Sequence, residues 1–154
     1  MNKIVFFKIG WMEHYKGISK SDKISSGAKY INENKFGHEI FNFYEYNGNV
    51  YGYFQVKGKI ALKNFGVSKS DNKIENVTVI WTAARKNGGV YIIVWYSNAT
   101  IYREVQEDRN LLYRKYKRSV FGYNVIAKSN DVKLLAVDER TFEIPKNKMN
   151  RSFI

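Results

Sequence analysis

Cysteine is absent from this chain of 154 residues. That excludes disulfides, thiolate zinc sites and cysteine nucleophiles, and it suits a reducing compartment. Histidine occurs only at His14 and His38, so a metal centre built on several imidazoles is excluded too. No apolar run approaches the roughly 20 residues that span a bilayer, and Ile4–Ile9 is too short for a signal-peptide core. A soluble, cytoplasmic protein without a membrane partner is the expectation. Walker, dinucleotide-glycine, His-Glu-x-x-His and Gly-x-Ser-x-Gly patterns are also missing, so no catalytic residue, metal or cofactor is assigned.

Acidic residues are scarce: 14 Asp and Glu stand against 26 Lys and Arg, a formal net charge of +12. Such an excess concentrates and steers polyanions, and it is the first mark of a nucleic-acid binder. Aromatics make up 16% of the chain, twelve of them tyrosines, a residue that stacks with its ring and still presents a polar edge. Charge and rings together favour nucleic acid over a merely lysine-rich surface.

The pattern along the chain is mostly extended. Lys3–Ile9 is β-branched and apolar, a first strand, and it leads into a loop between Gly10 and Gly17 that carries Trp11 and Tyr15. Serines at 25 and 26, Ala28 and Ile31 on one face, and a stop at Gly37 predict a short helix over 27–34. Asn47-Gly48-Asn49 between Glu39–Tyr46 and Val50–Val56 predicts a hairpin. A strand pair, Asn76–Arg85 and Val90–Tyr96, turns at Asn87-Gly88-Gly89. Ser97–Thr100 reads as a polar turn before a further strand at Ile101–Val105. Tyr123–Lys128 and Val132–Val137 are late strands around a Ser129-Asn130-Asp131 turn. No linker or repeat divides the chain, so residues 1–154 form one domain, and its unfinished-looking end suggests a piece of a longer protein.

Two constellations carry the chemistry. Trp11 sits in a loop, and Trp81 and Trp95 flank the 87–89 turn at similar distances, which predicts a shared face across the pair. With Tyr15, Tyr96 and Asn98 they are the candidate walls of an aromatic cage for a flipped base. Arg103, Arg109, Arg114, Lys115, Lys117 and Arg118, interleaved with Tyr113 and Tyr116, are the candidate phosphate contacts. His38 and Glu39, adjacent in an expected strand, face opposite ways and share no chemistry. A nuclease centre from Glu39, Asp138 and Glu139 has no supporting spacing.

The opening strand with its tryptophan loop resembles the PUA superfamily, above all its EVE and YTH-like branches. Gly89–Tyr96 followed by Asn98–Glu104, Phe36–Phe43 and Glu139–Pro145 are similar to segments of restriction-linked bacterial proteins that carry such domains. The resemblance implies an α+β fold, a curved, mostly antiparallel β-barrel with one or two flanking helices. It also implies DNA with a modified, methylated base as the ligand. Cutting would then fall to a fused or associated GTPase or nuclease of a modification-dependent restriction system. An RNA-binding module of the same fold is the alternative, and a small metal-dependent nuclease the third.

Overall fold

Alternation sets the first element. In Lys3–Ile9 (β1), Val5, Phe7 and Ile9 are buried while Lys3, Ile4 and Lys8 are exposed, the period of two that a strand imposes. The computed structural model describes residues 3–25, 37–56, 58–116 and 118–145. The helix expected over 27–34 lies outside them, as does Lys117.

The other strands are Glu45–Tyr46 (β2), Asn49–Gly52 (β3), Lys73–Ala84 (β4), Val90–Gln106 (β5), Lys115–Tyr116 (β6), Ser119–Val120 (β7), Tyr123–Lys128 (β8) and Val132–Leu134 (β9). They form a seven-stranded sheet in the order β1-β4-β5-β8-β3-β2, with β9 also paired to β5, and a separate β6–β7 ribbon. The β1–β4 pairing is parallel and the others are antiparallel. β1 and β2 stand at the two ends of the order, so this curved sheet is open, not closed into a barrel. Among the described residues the helical segments are short 3-10 turns, at His38–Phe41, Leu62–Phe65, Ser129–Asp131 and Val137–Glu139. None of them is long and apolar enough to cross a membrane.

The hairpin turns where Asn-Gly places it. Asn47 and Gly48 both take positive φ, 50° and 72°, and Glu45 pairs with Val50 across them, the geometry of a two-residue primed turn. Its arms are shorter than the alternation suggests. Two buried asparagines replace the strand ladder beyond Gly52. Asn42 exchanges both amide hydrogen bonds with the Tyr53 backbone, each 2.8 Å, and Asn124 does the same with Phe54 at 2.9 and 3.1 Å. A side-chain amide presents the same donor and acceptor as a peptide. The chain is held there without a partner strand, and His38–Phe41 coils into a 3-10 turn.

β5 corrects the expected break at Ser97–Thr100. It is one strand of 17 residues. Its register with β4 runs Val79↔Tyr96 and then Val77↔Ala99, so the extra residue is absorbed as a bulge. Asn98, at φ 50°, takes the left-handed conformation that asparagine tolerates. On the other side of β5, β8 and β9 run as one line interrupted by the Ser129–Asp131 turn, opposite this bulge.

The core lies on one side of the sheet, where Phe7, Phe43, Phe54, Trp81 and Tyr96 pack ring against ring. Gly52 makes that possible, since a Cβ there would lie 2.7 Å from Trp81 Cζ2.

Candidate nucleic-acid interface

The expected cage residues fall into four separate places. Trp81, Tyr96 and Tyr15 are fully buried. Tyr96 donates its hydroxyl to the Asn42 carbonyl, and Tyr15 donates to the Gly10 carbonyl at 2.6 Å while its ring meets Phe43 edge-on. Burial drives the pKa of both phenols far above the ordinary value. Trp95 points the other way. The pairings Trp81↔Val94 and Ile80↔Trp95 put the two tryptophans one register step apart, and one step moves a side chain to the opposite face. The predicted shared face is therefore overturned. Asn98 is exposed in the bulge, away from both. Trp11 is half-buried beside the first loop, held by reciprocal backbone bonds to Ser25. Two guanidinium groups lie over its ring, that of Arg85 at 5.3 Å from the centroid and that of Arg140 at 5.0 Å. These six residues enclose no common space.

The basic segment also divides. Arg109, Lys115 and Arg118 are exposed. Arg103 donates to the carbonyls of Asp71 and Ser68, both at 2.9 Å, and so braces a loop. Arg114 is fully buried. Its guanidinium donates to the carbonyls of His38, Phe41, Tyr51, Phe121 and Gly122, and burial lowers its pKa. A group with its donors so committed has none to offer a phosphate, which removes Arg114 from the expected contacts. Arg140 is a second buried arginine, bound to the carbonyls of Leu135, Met12 and Glu13.

Arg114 nevertheless builds a surface. By clasping Tyr51 and Gly122 it fastens its own part of the chain to the β3–β8 end of the sheet, and exposed Arg109, Lys115 and Arg118 flank it in sequence. There Tyr51 and Tyr102 stand on the side away from the core, since their neighbours Val50, Gly52 and Ile101 point inward. The Tyr123 ring meets both edge-on, 4.9 Å from Tyr51 at 74° and 6.0 Å from Tyr102 at 82°. The three rings are half-exposed. Burial and Asp108 nearby raise the pKa of Tyr51, and burial with its tyrosine neighbours pushes Tyr123 up to about 12, so each stays a neutral hydroxyl. Exposed Lys128 pairs with Asn49, two register positions from the Tyr51↔Ile126 pair and on the same side of the sheet. Further along the same side, half-buried Trp95 sits between Ile80 and exposed Lys133.

Sequence reasoning missed Tyr51, Tyr102 and Tyr123. The strand alternation Val50-Tyr51-Gly52 was the available signal for the first. The other two come together only through the pairing of β5 with β8.

A cleft of about 590 Å³ adjoins Tyr102, lined by Lys73, Glu75, Arg103, Glu104 and Gln106 among others. Its charges are matched, Lys73 with Glu75 at 2.7 Å and Glu104 with Lys59 at 2.5 Å, so it holds no surplus cation for a phosphate. Among the described residues no group of three His, Asp or Glu side chains is placed to hold a metal. Glu39 is buried and accepts from the Gly10 N–H at 2.6 Å, while Asp138 and Glu139 lie in an exposed turn. His38 is half-buried in the same 3-10 turn as Glu39, stacked on Phe121 at 4.6 Å, with its pKa lowered by burial and by Arg114.

Comparison with protein-family models, curated proteins and solved structures finds no match to this chain.

Proposed function

We propose that the chain is a nucleic-acid-binding module that uses the solvent side of its sheet. Lysines and arginines hold phosphates, and half-exposed rings meet bases that are flipped out or unpaired. The observation that carries this reading is the cluster Tyr51, Tyr102 and Tyr123 beside the exposed cations Arg109, Lys115, Arg118 and Lys128, in a chain of net charge +12. Phosphate contacts supply affinity and register, while aromatic faces supply sequence-tolerant stacking. In this reading the chain is a targeting module, and cleavage belongs to a fused or associated GTPase or nuclease.

The PUA-like, modified-base reading enters the proposal in a reduced form. A methyl group enclosed by two rings needs facing walls, and Trp81 and Trp95 face apart. Recognition of a modified base would rest on the open ring surface, with modest selectivity, because a buried methyl contributes only about 0.8 kcal/mol. The RNA-binding reading gains from the same open surface, since RNA is recognised mostly through unpaired bases.

The test is a titration of the purified chain against matched duplexes, plain or carrying N6-methyladenine, 5-methylcytosine or 5-hydroxymethylcytosine, with an RNA control. Salt-sensitive binding to any of them is expected. A preference of tenfold or more for one modified duplex would restore modified-base recognition. Absence of binding at low salt would refute the proposal.

A further inference from the structure

Resting on the proposed nucleic-acid reading, we infer that the polynucleotide this face takes is single-stranded, its bases laid separately on Tyr51, Tyr102 and Tyr123. Ring orientation is the reason. Tyr123 stands at 74° to Tyr51 and 82° to Tyr102, with centroids 4.9 and 6.0 Å away. A duplex keeps its bases parallel and about 3.4 Å apart along each strand. Planes so fixed cannot lie flat on two rings that are nearly perpendicular. A single strand can turn each base about its own backbone bonds and stack it on the ring it meets.

The backbone of such a strand also finds its cations. Lys128 lies two positions beyond Ile126, the partner of Tyr51, so it stands on the same side of β8 as Ile126, and it is exposed. Arg109, Lys115 and Arg118 are exposed on either side of Arg114 in the chain, and Arg114 is itself fastened to the Tyr51 and Gly122 carbonyls. Rings inside and cations at the margin are the order a single strand requires, bases inward and phosphates outward. A duplex presents phosphates first, and the half-buried rings would meet only its sugar-phosphate edge. The mixed-charge cleft beyond Tyr102 marks the limit of the track, because Lys59 and Lys73 there are already paired with Glu104 and Glu75.

The experiment uses the whole chain and three probes of one mixed sequence, about 15 nucleotides long: single-stranded DNA, the same strand annealed to its complement, and the RNA counterpart. Either single strand, DNA or RNA, should bind at least tenfold tighter than the duplex. Tyr51→Leu and Tyr102→Leu should each weaken single-strand binding by about tenfold. Tyr51→Phe and Tyr102→Phe keep the ring and should bind as the unaltered chain does. Thermal unfolding of each variant shows that the Leu forms are folded. Duplex binding equal to or tighter than the single strand would overturn the inference while leaving the nucleic-acid reading intact. Leu variants that bind single strands normally would do the same. Failure of all three probes to bind would overturn both.

Discussion

At the scale of the residue, the two buried arginines are the most consequential side chains. Arg114 satisfies the carbonyls of five residues drawn from three stretches of the chain, 38–41, 51 and 121–122. Each buried carbonyl left without a donor costs about 1–3 kcal/mol. Arg114→Met should therefore lower stability by at least about 3 kcal/mol in urea denaturation. Arg114→Lys should fall between the two, because an ammonium offers three donors and no planar fork. A phosphate contact would behave oppositely, losing binding with stability intact. Nothing in the basic run 109–118 marks Arg114 as different from its neighbours. Its burial is decided by carbonyls that only the folded chain brings together.

Glu39 supplies a pH prediction. Burial raises its pKa from 4.5 to about 7, against the lowering effect of the Gly10 N–H. The fold thus binds a proton more tightly than the unfolded chain does. This carboxyl's contribution is complete below about pH 4.5, declines as pH rises, and is lost once pH passes about 7. Glu39→Gln keeps a neutral group that still accepts from Gly10. It should be more stable than the parent by up to about 3 kcal/mol at pH 8, and nearly equal to it at pH 4. Denaturation curves whose difference does not change with pH would contradict this.

At the scale of the element, β1 and β8 end where apolar alternation in the sequence ends. β5 does not. Ser97-Asn98 looks like a turn because a bulge uses the same residues, small, polar and tolerant of positive φ, that a turn uses. Only the neighbouring β4 ladder, which continues past it, separates the two cases. The aromatic cage failed for a related reason: nearly equal distances from a turn do not fix register, and a single step puts Trp95 behind the sheet from Trp81. Asn98→Val should destabilise the protein by about 1–2 kcal/mol, since a β-branched residue resists φ near 50°. Asn98→Gly should lie within about 0.5 kcal/mol of the parent. Thermal or chemical unfolding of the pair measures the difference.

At the scale of the whole molecule, the charge of +12 divides between structure and surface. Arg114 and Arg140 are spent inside, and Lys59 and Lys73 face carboxylates. What remains as exposed cation near the rings is Arg109, Lys115, Arg118 and Lys128. For a single strand, each phosphate contact contributes about 0.7 to the slope of log affinity against log salt. Arg109→Gln and Lys115→Gln should each flatten that slope by about this amount and leave stability unchanged. An unaltered slope would place the polyanion elsewhere on the surface.

Arg140 ties the end of the described chain to its beginning. Its guanidinium holds the carbonyls of Met12 and Glu13, and one face of it covers Trp11. During synthesis the first loop therefore waits for its clasp until residue 140 has left the ribosome. Termination anywhere before residue 140 would release a product whose tryptophan loop is loose and whose Met12 and Glu13 carbonyls are bare. Such a product should be cut by an added protease within the first loop faster than the intact chain is.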